Sequence, residues 1–144
     1  MEMELLFEMT AMVAPPIAIA DIPAGSRVIV HVTGGKFEGP RMRGTVLASG
    51  ADWFLVRSGS LAELDVRIVL RTDDGENIYM TYRGRAKMDG RGAIESLRTA
   101  PTFEASTKGK YGWLNAVQAL GVGGPPTMTN GVPSAVTYKI YTVE

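Results

Sequence analysis

At 144 residues the chain has the length of one domain, read here as 1–144, enough to bury most of its apolar surface without disulfide or metal staples. Its 45% hydrophobic and 21% charged residues exclude a disordered chain. Fifteen basic residues balance fifteen acidic ones, so no broad field draws in a nucleic acid or an anionic membrane, and the lack of cysteine excludes disulfides and thiolate chemistry.

Taken in chain order, the first residues carry Glu2, Glu4 and Glu8 where a secretory signal wants basic charge, and Pro15-Pro16 interrupts the longest early apolar run. No stretch approaches the length of a membrane-spanning helix, so the expectation is a cytoplasmic protein. Gly and Pro then punctuate short segments rich in Val, Ile, Leu and aromatics. Strands are predicted near Glu4–Val13, Arg27–Thr33, Arg41–Leu47, Asp52–Arg57, Ala62–Thr72, Asn77–Ala86, Leu97–Phe103, Trp113–Gly121 and Ala135–Val143. Asp73-Asp74-Gly75-Glu76 reads as a tight turn that pairs its two flanking strands antiparallel. Leu114–Leu120 has an alternative reading as one short helix. Gly121–Pro133 reads as an irregular loop, either a cavity lid, an oligomer contact or plain surface. The whole is an all-β, antiparallel barrel of about nine to ten strands with a ligand cavity.

The strand over Ala62–Thr72 leaves two readings open. Its period of two puts Leu64, Val66, Ile68 and Leu70 on one face and Glu63, Asp65, Arg67, Val69 and Arg71 on the other. Either the apolar face is the core and the charges are solvated, or the strand is inverted. Inverted, Asp65 and Arg67 would hold a polar ligand inside the cavity, and a second subunit would cover Val66 and Ile68. That second reading predicts a homodimer.

Most motifs fail on spacing. His31, the single histidine, lies between Val30 and Val32 without the partners of a zinc site or a triad, so no metal and no cofactor are expected. Thr33–Pro40 is glycine-rich but lacks the spacing of a phosphate loop; its glycines read as a barrel corner or a close approach to a ligand. The aromatic and polar pairs Asp52-Trp53 and Trp113-Leu114-Asn115 have the composition of a clasp for a flat polar molecule. A cofactor-free acid–base set is available: Asp65 or Asp52 as base, Arg67 as oxyanion stabiliser, and Tyr79 or Tyr82 as acid.

The run Gly34–Pro40, Gly44, Gly50–Trp53, Leu64–Arg67, Leu70–Gly75 and Ile78-Tyr79 resembles the DUF3237 family, also called UPF0311. The resemblance continues through Arg98–Glu104, Tyr111, Trp113–Asn115 and Tyr138–Tyr141. It implies a calycin-like antiparallel barrel that binds small molecules. Asp52, Trp53, Asp65, Arg67, Thr72 and Asp74 match positions of the family pattern, as do Trp113 and Asn115, whereas Leu97 stands where an aromatic is expected. The resulting expectation is a barrel for an aromatic or carbonyl-containing organic ligand, acting as a cofactor-independent isomerase, lyase or hydratase. The alternative is a non-catalytic carrier that retains its ligand unaltered. Asp65, Arg67 and Asp52 are the catalytic candidates; Trp53, Tyr79, Tyr82, Trp113 and Asn115 are the ligand-binding ones.

Overall fold

The computed structural model describes residues 1–58 and 60–143. Its strands are β1 (Met3–Val13), β2 (Ile17–Ile22), β3 (Gly25–Glu38), β4 (Arg43–Val46), β5 (Ala51–Val56) and β6 (Leu61–Thr72). The second half adds β7 (Asn77–Met88), β8 (Ile94–Thr99), β9 (Thr102–Glu104), β10 (Ala119–Gly123), β11 (Thr127–Thr129) and β12 (Val132–Val143). Among the described residues the one helical element is a 3-10 turn, Gly112–Ala116, and no helix is long and apolar enough to cross a membrane.

Every pairing is antiparallel, and following them around the sheet returns to the start. β1 pairs β3, then β5, β6, β7, β8, β10 and β12 follow, and β12 pairs β1 again. The molecule is therefore a closed antiparallel barrel, the architecture that leaves no unpaired sheet edge in its wall. β4 and β9 add to the wall at the end carrying the β6–β7 turn, and β2 and β11 form flaps on β3 and β12 near the other end.

The period-two pattern of β6 decides which side is inside. Leu64, Val66, Ile68 and Leu70 are all buried, while Asp65 and Arg67 point outward. The inverted strand is corrected accordingly: a closed barrel has one interior, and four large apolar side chains occupy it at far lower cost than an ion pair would. Val66 and Ile68 are covered by the chain's own wall, so this strand makes no demand for a second subunit.

The turn after β6 forms as the Asp-Gly pair predicts. Gly75 takes φ +91°, Gly75 N–H donates to the Thr72 carbonyl, and the Thr72 hydroxyl accepts the Glu76 N–H at 2.9 Å. The glycine pair in β3 is a corner. Thr33 is an extra residue between the pairs Met12–Gly34 and Val13–Val32, a bulge that bends the strand. Beyond it β3 exchanges its partner β5 for β4. At Gly35, with φ +140°, any Cβ would collide with the Thr10 carbonyl of β1.

Several boundaries differ from expectation. The strand expected at Arg27–Thr33 continues to Glu38, because the bulge absorbs the glycines without ending the ladder. Leu97–Phe103 is split at Ala100-Pro101 into β8 and β9, since proline cannot donate to a ladder. Trp113–Gly121 is a 3-10 turn followed by β10, and Gly121–Pro133 contains the end of β10, all of β11 and the start of β12. Among the described residues there are thus twelve strands where nine or ten were expected.

The two ends of the barrel are filled differently. At the end with the β6–β7 turn, Phe7 packs against Phe37 and Phe103 at 5.3 and 6.2 Å between ring centroids, among fully buried Ile68, Leu70, Ile78 and Met80. The 3-10 turn inserts Leu114 beneath them, and Tyr111 donates its hydroxyl to Asp74 at 2.9 Å to hold that plug on the turn. The opposite end is hollow.

Candidate functional site

The hollow end is a cavity of about 300 Å³. Valines from five strands line it, Val13 on β1, Val28, Val30 and Val32 on β3, Val56 on β5, Val66 on β6 and Val136 on β12, with Phe54 and Leu64 among the other apolar residues of the wall. Pro126 and Pro133, on either side of β11, line it as well, so part of the expected irregular loop lies at the cavity. Three polar side chains interrupt this apolar lining: Asp52 on β5, Tyr82 on β7 and Tyr138 on β12.

Each polar group reaches the interior by strand alternation. Asp52, Phe54 and Val56 point inward while Trp53 and Leu55 point outward. Tyr82 follows the same rule on β7, opposite Val66 in register, and Tyr138 on β12, two residues before buried Ile140. The rings of Tyr82 and Tyr138 meet edge-on with centroids 5.6 Å apart.

Asp52 is held in an unusual way. The β5–β6 ladder keeps one register on both sides of a gap: Ala51–Arg67 and Asp52–Val66 pair, Leu55–Glu63 and Val56–Ala62 pair, but Trp53–Asp65 and Phe54–Leu64 do not. At the gap the Asp65 N–H donates to Asp52 Oδ1 at 3.0 Å instead of to the strand opposite. The Trp53 carbonyl it would otherwise meet accepts from Arg27 Nη1 at 2.9 Å. Oδ2 of Asp52 accepts no hydrogen bond among the described residues and is available to a ligand.

Burial in the apolar wall pushes the Asp52 carboxyl from 3.8 up to about 7. The Asp65 N–H pulls the other way, and the Asp65 charge adds a smaller push upward. Burial also raises both tyrosines, with the Asp52 charge adding to each, so both remain neutral hydroxyl donors across the physiological range. The floor of the cavity therefore offers one carboxyl that gains and loses a proton near neutrality, beside two phenols that do not.

The remaining sequence-predicted residues lie elsewhere. Asp65 is on the outer wall with its carboxylate 3.9 Å from Arg83, and Arg67 is exposed with its guanidinium 5.6 Å from the centre of the Trp53 ring. Trp53 and Tyr79 are themselves exposed on the outside. Trp113 lies on the plug under the Arg41 guanidinium, 3.6 Å from the ring centre. Asn115 is a structural tie: its side chain accepts from the Ala105 N–H and donates to the Ala105 carbonyl, each at 2.8 Å. Of the proposed acid–base set the structure brings together Asp52 and Tyr82, and leaves Asp65, Arg67 and Tyr79 outside. Tyr138 was missed. The alternation of Val136, Tyr138 and Ile140 against Thr137, Lys139 and Tyr141 carried the signal that it faces inward.

The family described as a protein of unknown function, DUF3237, matches residues 1–143. The UPF0311 protein of Clostridium acetobutylicum is 33% identical over 127 residues, 79% of this chain and 80% of that protein. A UPF0311 protein of Rhodopseudomonas palustris is 32% identical over 84 residues, and that match spans 58% of this chain and only 55% of the relative. Among solved structures, a beta-barrel like protein from Acinetobacter baumannii superposes with a TM-score of 0.85 at 32% identity, covering 99% of this chain and 96% of that one. A hydroalkoxylation enzyme of Penicillium herquei is 29% identical over 126 residues, 88% of this chain and 75% of that protein. The crystal structure of an enzyme from the same organism superposes with a TM-score of 0.71 at 26% identity over 96% of this chain and 93% of that one. By the extent of the family match and by its relatives, the chain is a member of the DUF3237 (UPF0311) family of β-barrel proteins.

Proposed function

We propose that the cavity binds a small, largely apolar organic molecule and that Asp52 moves a proton to and from it without a cofactor. The observation that carries this reading is the isolation of Asp52, Tyr82 and Tyr138 in an otherwise apolar chamber, with the carboxyl raised to about 7. A general acid–base group is most effective when its pKa lies near the working pH. A carboxyl with its ordinary value would be almost wholly ionised there and unable to donate.

The name of the Penicillium herquei relative denotes addition of an alcohol O–H across a carbon–carbon double bond. The same chemistry suits this floor. Protonated Asp52 gives its proton to one alkene carbon while the substrate's hydroxyl oxygen bonds to the other. The proton leaving that oxygen returns to the carboxylate, so the acid is regenerated and no redox change occurs. Tyr82 and Tyr138 would hold the substrate oxygen by hydrogen bonds, and the valine wall excludes water that would compete with the hydroxyl.

The test is native mass spectrometry of the purified protein for a retained ligand, followed by incubation of that ligand, and of a panel of alkenyl alcohols, in deuterated water. Carbon-bound deuterium in the product is expected from the wild type. Asp52→Asn should lower its appearance by about 10²-fold or more while the ligand is still retained. A ligand retained unchanged, with no deuterium at carbon in either protein, would instead identify a carrier.

A further inference from the structure

On the outer side of the wall, Arg27 reaches into the broken segment of ladder behind Asp52. It projects from the outer face of β3, half-buried, and gives Nη1 to the Trp53 carbonyl at 2.9 Å. In an unbroken ladder that carbonyl would accept the Asp65 N–H, because residues 53 and 65 fall opposite each other in the register shared by the flanking pairs. Two backbone groups that should satisfy each other have thus been separated. One is satisfied by a guanidinium outside the barrel and the other by a carboxylate inside it. Each has found a side-chain partner, the Trp53 carbonyl on the exposed side of the wall and the Asp65 N–H on the part-buried side, where an unpaired backbone donor is costly.

We propose that Arg27 is a positioning residue for Asp52: by drawing the Trp53 carbonyl out of the ladder, it releases the Asp65 N–H to orient the carboxylate at the cavity floor. The inference rests on the acid–base reading of the site, yet it concerns a residue on the opposite side of the wall. Asp52 is faced by few other polar groups. β6 contributes the Asp65 N–H and charge, β7 contributes Tyr82 and β12 contributes Tyr138, while β3 presents only valines to the interior. The N–H bond is the interaction that favours the ionised form, so losing it should move the carboxyl's titration upward.

Carbon-detected NMR titration of the Asp52 carboxyl reads this directly. Arg27→Ala should let Trp53 and Asp65 pair again and raise the Asp52 midpoint by about one pH unit. Arg27→Lys, which still offers a donor to the carbonyl, should stay at the wild-type value. In the wild type itself, the Asp65 amide proton should show a step near neutral pH with the same midpoint as the Asp52 carboxyl, a measurement that needs no variant. An unmoved midpoint in Arg27→Ala, an equal shift in both variants, or an Asp65 amide blind to the Asp52 titration overturns the proposal. An Asp52 midpoint near 4 in the wild type would instead overturn the acid–base function, leaving the amide coupling to be judged separately.

Discussion

The two halves of one barrel are built from the same strands and do opposite things. Along β6, Ile68 and Leu70 end in a packed aromatic core around Phe7, whereas Leu64 and Val66, on the same face of the same strand, end at an open cavity. The difference lies in side-chain volume on the facing strands. Where the packed half is filled by Phe7, Phe37, Phe103 and the plug's Leu114, the hollow half carries the smaller Ala11 and Val13 on β1 and Val136 on β12. Barrel interiors of this size are either filled by side chains or leave a cavity, and this one is filled at one end and hollow at the other.

The contrast is broken most severely from the packed side. Phe7→Ala should cost about 3–5 kcal/mol in chemical denaturation, because the neighbouring rings cannot collapse into the space left. A cost below about 1 kcal/mol would show that this end is no better packed than the other.

Asp52 provides an intermediate effect with a sign of its own. Its folded value, about 7, lies above the ordinary 3.8, so the folded state holds a proton that the unfolded chain releases. The stability this contributes is complete below about 4, declines as pH rises, and is gone above about 7. Asp52→Asn, which cannot ionise and still offers Oδ1 to the Asp65 N–H, should be more stable than the wild type at pH 8, by on the order of 2 kcal/mol. The gain should shrink toward pH 4 in parallel denaturation curves. A variant destabilised equally at every pH would refute the assignment of the raised carboxyl to this residue.

The smallest effect belongs to the cavity wall. Val30, which pairs with Asp52 in register, faces space that is already empty. Val30→Ala should cost under about 1 kcal/mol. Val30→Phe should fill the chamber and abolish ligand retention in native mass spectrometry with a comparably small change in stability. A large loss in either variant would mean that the wall is packed after all.

The pattern of alternation made the strands and the Asp-Gly turn legible, because period-two burial leaves a local trace in every strand, but it did not say which face of β6 is inside. The site was legible only in part. Asp52 stood out as an acid beside an aromatic, but Trp53, its neighbour, faces the other side of the wall, and the pair is a pair only in sequence. Asp65 and Arg67 drew attention as a charged couple, yet their common face is the solvent face, which parity alone does not reveal. Tyr82 and Tyr138 lie 56 positions apart by their numbering and meet only because the ring closes. Nor does any local signal mark Arg27, whose partner is a carbonyl on a different strand.

The seam that closes the ring also has a kinetic consequence. β6 and β7 are joined by a four-residue turn and can pair as soon as both have been synthesised, whereas β1 must wait for β12, whose register runs from Met3–Val143 to Met12–Ala135. Tyr138 is carried on that last strand. Until that pairing forms, β1 has an unpaired edge, and the cavity acquires its third polar group in the same event that seals the wall.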